Sequence, residues 1–118
     1  MFKFEKLDVW QKAVDFAHLV YNHTRHFPSD ERFGLTNQMR RAGASISSNI
    51  AEGTSRLSQS DYARFIEIAT GSVFEVVSQA FIGRREGFIN EEGFRALYAA
   101  ADEIGRMLSG LRKSLHLT

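Results

Sequence analysis

The chain has 118 residues, a formal net charge of +1 at pH 7, 43% hydrophobic residues and 25% charged residues. That is enough chain for one domain with a real core, and its near-neutral balance excludes a strong bulk attraction to nucleic acid or an anionic membrane. Cysteine is absent, which excludes a disulfide framework and a thiolate metal site and fits a reducing compartment.

Met1-Phe2-Lys3-Phe4-Glu5-Lys6 lacks the apolar run and cleavage site of a signal peptide. No apolar run approaches the roughly twenty residues that cross a bilayer, so a cytoplasmic location is expected. Leu7 to about His26 predicts the first helix, with Trp10, Ala13, Val14, Ala17, Val20, Tyr21 and Thr24 as its apolar face. Pro28, the one proline, stops it. Ser29-Asp30-Glu31-Arg32 is a turn, and Phe33 is expected to plug the end of the fold.

The second helix, within Gly34 to Gly53, is the stretch around which the chain is organised. Leu35, Met39, Ala42, Ile46, Ile50 and Gly53 recur at helical steps and form one face. Small residues crowd the segment, which suits the most enclosed helix. Gly53 is expected at the left-handed position beyond its end. Ser58 and Asp61 resemble a capping box opening a third helix, from about Gln59 to Glu86, with Gly87 beyond its end. Its core face is Tyr62, Phe65, Ile66, Ala69, Val73, Val76, Val77 and Ala80. Phe74 and Phe81 fall to one side of that face, and Ile68 and Ile82 almost opposite it. A helix apolar on several sides is buried on several sides, so these four residues are candidates for an interface between subunits. Asn90 caps the fourth helix, with Glu91 and Glu92 in its first turn. Phe94, Leu97, Tyr98, Ala101, Ile104, Leu108, Leu111 and Leu115 give its stripe. No strand-like alternation competes. Four helices on short links predict an all-α, antiparallel up-down-up-down four-helix bundle in a single domain, residues 1–118.

Gln38, Ser45 and Asn49 form a polar stripe beside the apolar face of the second helix. Antiparallel packing would set it against Ser72 and Gln79. Buried polar groups must be paired, so a structural seam that fixes register is preferred to a ligand pocket. Arg40, Arg41, Arg56, Arg84 and Arg85 are candidates for an RNA-binding surface. Lysine occurs only at Lys3, Lys6, Lys12 and Lys113, so arginine dominates the basic residues. Arginine suits phosphate and also ion pairs at interfaces, and acidic residues lie among these five. His23 and His26 have the spacing of a two-ligand metal site, but no third ligand is fixed, so neither metal nor cofactor is expected. The serines lack a positioned base; His18, His23, His26 and His116 share no triad motif with them. Glu52 and Glu75 are better read as structural groups than as an acid–base pair. No small-molecule substrate is indicated, and no catalytic residue is assigned.

These motifs resemble the bacterial four-helix bundle protein family encoded in intervening sequences of 23S ribosomal RNA genes. The blocks are Leu7-Asp8-Val9-Trp10-Gln11-Lys12-Ala13, followed by Tyr21, Thr24, Phe27 and Pro28; Gln38, Arg40-Arg41-Ala42, Ser45-Ile46 and Asn49-Ile50-Ala51-Glu52-Gly53; then Arg56, Ser58, Phe65, Ile68-Ala69, Gly71-Ser72, Glu75 and Gln79. Gly43 stands where the family is expected to have alanine. The resemblance implies a left-handed bundle that assembles as a homopentamer, with no enzymatic activity. It leads to a non-enzymatic scaffold or adaptor as the first reading. The alternative is an RNA-binding accessory protein working with an RNA or reverse-transcriptase partner, as implied by the related accessory proteins of diversity-generating retroelements. Those are strongly basic, and this chain is not.

Overall fold

A computed structural model describes residues 1–115; His116 lies outside them. Four helices carry the fold: α1 Asp8–Thr24, α2 Leu35–Thr54, α3 Gln59–Arg85 and α4 Glu91–Ser114, with short 3-10 turns at Lys3–Lys6 and Ser29–Glu31. No strand occurs among the described residues. Each helix packs on its neighbours in sequence, and α1 closes the ring against α4. The backbone of Gly43 lies against Val20, the Ser45 and Ser72 hydroxyls meet, and Lys12 reaches Glu103. Arg112 faces Glu67, and Arg84 faces Glu91 at the other end. The all-α bundle read from periodicity is the architecture found.

Local signals explain the helix ends. Ser58 Oγ accepts from the Asp61 N–H at 3.0 Å, but the described hydrogen bonds of the Asp61 carboxylate run to Arg64, not back to the cap. Asn90 Oδ1 accepts from the Gly93 N–H at 2.7 Å. For α2 the cap is supplied from outside, by Glu31 Oε1 accepting from Leu35 N at 3.1 Å. Gly87, at φ 78°, ends α3. Its N–H donates to the Arg84 carbonyl, and the Phe88 N–H reaches back to the Gly83 carbonyl, the two bonds of a Schellman ending.

The core contains Phe16, Met39, Ile46, Ile50, Ile66, Leu97, Ile104 and Leu108, all fully buried. Several expectations shift. The buried face of α1 is Val9, Ala13, Phe16, Val20 and Thr24, while Val14 and Tyr21 are exposed. Apolar residues cover more than one side of this helix, so spacing fits two phases; the phase that buries the Phe16 ring is the one adopted. Phe33 is 84% exposed and plugs nothing. Phe27, Phe88 and Ile89 close that end, with the Phe27 and Phe88 rings 5.4 Å apart. Gly53 lies inside α2 and is buried, not at a left-handed position beyond it. Tyr98 is half exposed.

A further correction concerns α3. By length and composition it is long and apolar enough to cross a membrane. Packing accounts for that apolarity in part, because one side of α3 fills the core between α2 and α4. The rest lies at Ile68, Phe74, Phe81 and Ile82, all exposed.

Candidate functional site

The outer surfaces of α3 hold most of the singled-out residues, on two adjoining faces of the bundle. Toward α2 runs the polar seam. The Ser45 and Ser72 hydroxyls hydrogen-bond across it, and Ser45 Oγ also meets the Ala42 carbonyl at 3.1 Å. Asn49 turns back on its own helix, its Nδ2 donating to the Ser45 carbonyl at 2.8 Å. Gln38 is exposed and joins no described hydrogen bond. In the register set by Ser45 and Ser72, it lies level with Gln79. Gln79 is 6% exposed; its Nε2 donates to Glu75 Oε2 at 3.3 Å, and its Oε1 is buried without a partner. Among the described residues the seam therefore has one direct cross-helix bond and one unsatisfied acceptor. Glu52 and Glu75 stand about ten residues apart along it, or ~15 Å, too far to share a proton.

Toward α4 lies an apolar groove of about 740 Å³, lined by Val73, Phe74, Val77, Phe81, Tyr98 and Gly105, among others. Phe81 stacks edge-on to Phe94, centroids 4.8 Å apart, and is thereby held at the groove edge. Phe74 projects freely at 71% exposure. Periodicity placed the two rings to one side of the core but could not supply the opposite wall. The available signal was the small residue at Gly105 on α4, two turns along the same face from the half-exposed Tyr98.

The five candidate arginines do not gather into one patch. Arg40 is tied to α1: its Nε donates to Thr24 Oγ1 at 2.9 Å, and its guanidinium lies 4.6 Å from the Tyr21 ring centroid. Arg56 pairs with Asp61 at 3.6 Å and covers the Phe65 ring. Arg84 pairs with Glu91 at 3.4 Å and packs 3.8 Å over the Phe94 ring. Arg41 and Arg85 are exposed and make no ion pair among the described residues. Arg56 precedes α3 and Arg85 ends it, so those two lie ~40 Å apart along the bundle.

A polar hollow of about 820 Å³ opens at the end where α2 meets α3, lined by Arg56, Asp61, Arg64, Glu67 and Arg112. Its charges already meet one another: Arg64 with Asp61 at 3.0 Å, Arg112 with Glu67 at 3.9 Å. Among the described residues, no three His, Asp or Glu side chains converge as a metal site. His18 Nε2 lies 3.3 Å from Asn22 Nδ2, and the His23 ring packs against Gly93.

Residues 5–110 match the family model of the 23S rRNA-intervening sequence protein. Among solved structures, the chain resembles a protein of unknown function from the S23 ribosomal protein family of Bacteroides thetaiotaomicron. The two share 24% identity and a TM-score of 0.80, over 89% of this chain and 98% of the other. At that identity the likeness establishes the fold. No curated protein matches the sequence.

Proposed function

The chain belongs to the 23S rRNA-intervening sequence protein family, and from that premise we propose that it is a non-enzymatic, self-associating scaffold or adaptor whose assembly surface is the outside of α3. The observation that carries this reading is the apolar exposure on that one helix. Phe74 is 71% exposed, Ile82 51%, Phe81 46% and Ile68 43%. Phe74 and Phe81 edge the apolar groove against α4, and exposed apolar surface of that kind marks interaction sites. A ring of five copies is the assembly that the family resemblance implies. The RNA-accessory reading has narrower support. Of its five arginines only Arg41 and Arg85 are free of described partners, and the net charge of +1 gives weak long-range attraction for a polyanion.

Light scattering tests the proposal. The unaltered chain is expected to run as a stable assembly, and Phe74→Glu with Phe81→Glu is expected to reduce it to single chains with the helical circular dichroism retained. A stable monomer of the unaltered chain at micromolar concentration would overturn it.

A further inference from the structure

The two exposed apolar sets on α3 differ in chemistry, shape and direction. At ~100° per residue, Phe74 and Phe81 point about 110° round the helix from Ile68 and Ile82. The aromatic set lies on the α3–α4 face and edges a groove. The aliphatic set lies on the side of α3 nearer the seam, with Gly71 between Ile68 and Glu75 and nearer the aromatic side.

We propose that copies of this chain join through unlike faces: the aromatic groove of one copy receives the Ile68–Gly71–Ile82 side of α3 from the next. This rests on the self-association reading above and specifies its partner surface.

Three observations support it. The first is Gly71. Glycine is a poor helix former, and it is tolerated mid-helix where another group comes close. Among the described residues nothing approaches the position of a Gly71 Cβ within 4 Å, so their packing gives no reason for it. Beside Ile68, on the outer surface, it leaves room for a projecting ring such as Phe74 of the next copy.

Charge is the second. Arg106 stands on the groove's α4 wall, 81% exposed in its side chain and bound to Asp102 at 2.9 Å. The Arg112–Glu67 and Arg84–Glu91 contacts set the α3–α4 register and bring Arg106 within about one helical turn of the height of Glu75. Glu75 is exposed between the two isoleucines, and its described hydrogen bond comes from Gln79. Copies standing side by side in parallel would thus bring Arg106 of one toward Glu75 of the next.

The third is direction. Two unlike faces meeting head to tail generate a ring when the rotation closes, and an open filament when it does not. Faces about 110° apart turn each copy by about 70° relative to the last, which suits a small closed ring rather than a straight stack.

Mixing tests the pairing. One variant carries Phe74→Glu with Phe81→Glu, the other Ile68→Glu with Ile82→Glu. Each alone is expected to sediment as a monomer while keeping native helical dichroism. Mixed in equal amounts they are expected to form a one-to-one dimer, because one retains an intact aromatic groove and the other an intact isoleucine face. Wild-type assembly by the isoleucine variant, or a mixture that stays monomeric, would overturn the unlike-face pairing while leaving self-association standing. A monomeric unaltered chain would instead overturn both. Gly71→Leu is a second probe: it is expected to raise the unfolding temperature of the single chain and to abolish assembly. Assembly at wild-type size by Gly71→Leu would sink the proposed role of Gly71.

Discussion

A Cβ on Gly53 would stand 2.9 Å from Tyr62 Cδ1 and 3.1 Å from Phe65 Cβ. No real Cβ sits so near ring and backbone-adjacent atoms without displacing them. On Gly110 the same atom would meet nothing within 4 Å among the described residues. Both residues are helical, so alanine gains similar helix propensity at each, up to ~1 kcal/mol. The outcomes should therefore have opposite sign. Gly110→Ala is expected to stabilise the chain by ~0.5–1 kcal/mol. Gly53→Ala is expected to destabilise it by ~1–3 kcal/mol, because overpacking outweighs propensity. Urea titration of the two variants side by side checks this. Equal and positive shifts would mean that α2 and α3 are not as close at Gly53 as described.

Between α2 and α3, the one direct polar bond across the seam joins Ser45 and Ser72, and its partners are unequally placed. Ser45 also has the Ala42 carbonyl of its own helix, whereas Ser72 is buried and its described bond is to Ser45 alone. Ser45→Ala strands the Ser72 hydroxyl and is expected to cost ~1–3 kcal/mol. Ser45→Ala with Ser72→Ala removes both groups and should recover most of that loss, since an apolar pair leaves nothing unsatisfied. A double variant as unstable as Ser45→Ala alone would show that the seam acts through packing and not through its hydrogen bond. On the opposite flank of α3, no comparable polar contact joins α4 at mid-height among the described residues, and the groove lies open there.

The described residues span 46 × 22 × 21 Å, and two groups among them link stability to alkaline pH. Glu103 hydrogen-bonds and attracts Lys12, with Nζ at 2.8 Å, and holds its pKa above the ordinary 10.5. Burial pushes the Tyr62 phenol above its ordinary 10.0. Both keep a proton in the folded chain at pH values where the unfolded chain has begun to release it. Their contribution is therefore complete below the unfolded values, and is lost as pH rises through the folded ones. The urea midpoint is expected to fall between about pH 9 and about pH 11. Lys12→Met with Tyr62→Phe should flatten that fall; an unchanged slope would assign it to other groups.

The sequence by itself determined what depends on neighbours along the chain. Helix number, order and most ends were legible because Pro28, Ser58, Asn90 and Gly87 act within a turn of where they stand. The core faces of α2, α3 and most of α4 were legible because their apolar residues recur at one helical phase. Tertiary structure alone chose between the two phases open to α1, since that choice depends on which surface α2 and α4 present to it. It also put Phe27, Phe88 and Ile89, rather than Phe33, over the bundle end, and used Gly53 for close approach instead of a cap. The candidate site divided in the same way. Residues 68, 74, 81 and 82 could be read as surplus to the core from α3 alone. That two of them edge a groove needs the α4 wall, and that three of the five arginines are held by Thr24, Asp61 and Glu91 needs partners distant from the arginine motif itself. Periodicity records which way a side chain points; only packing decides what it meets there.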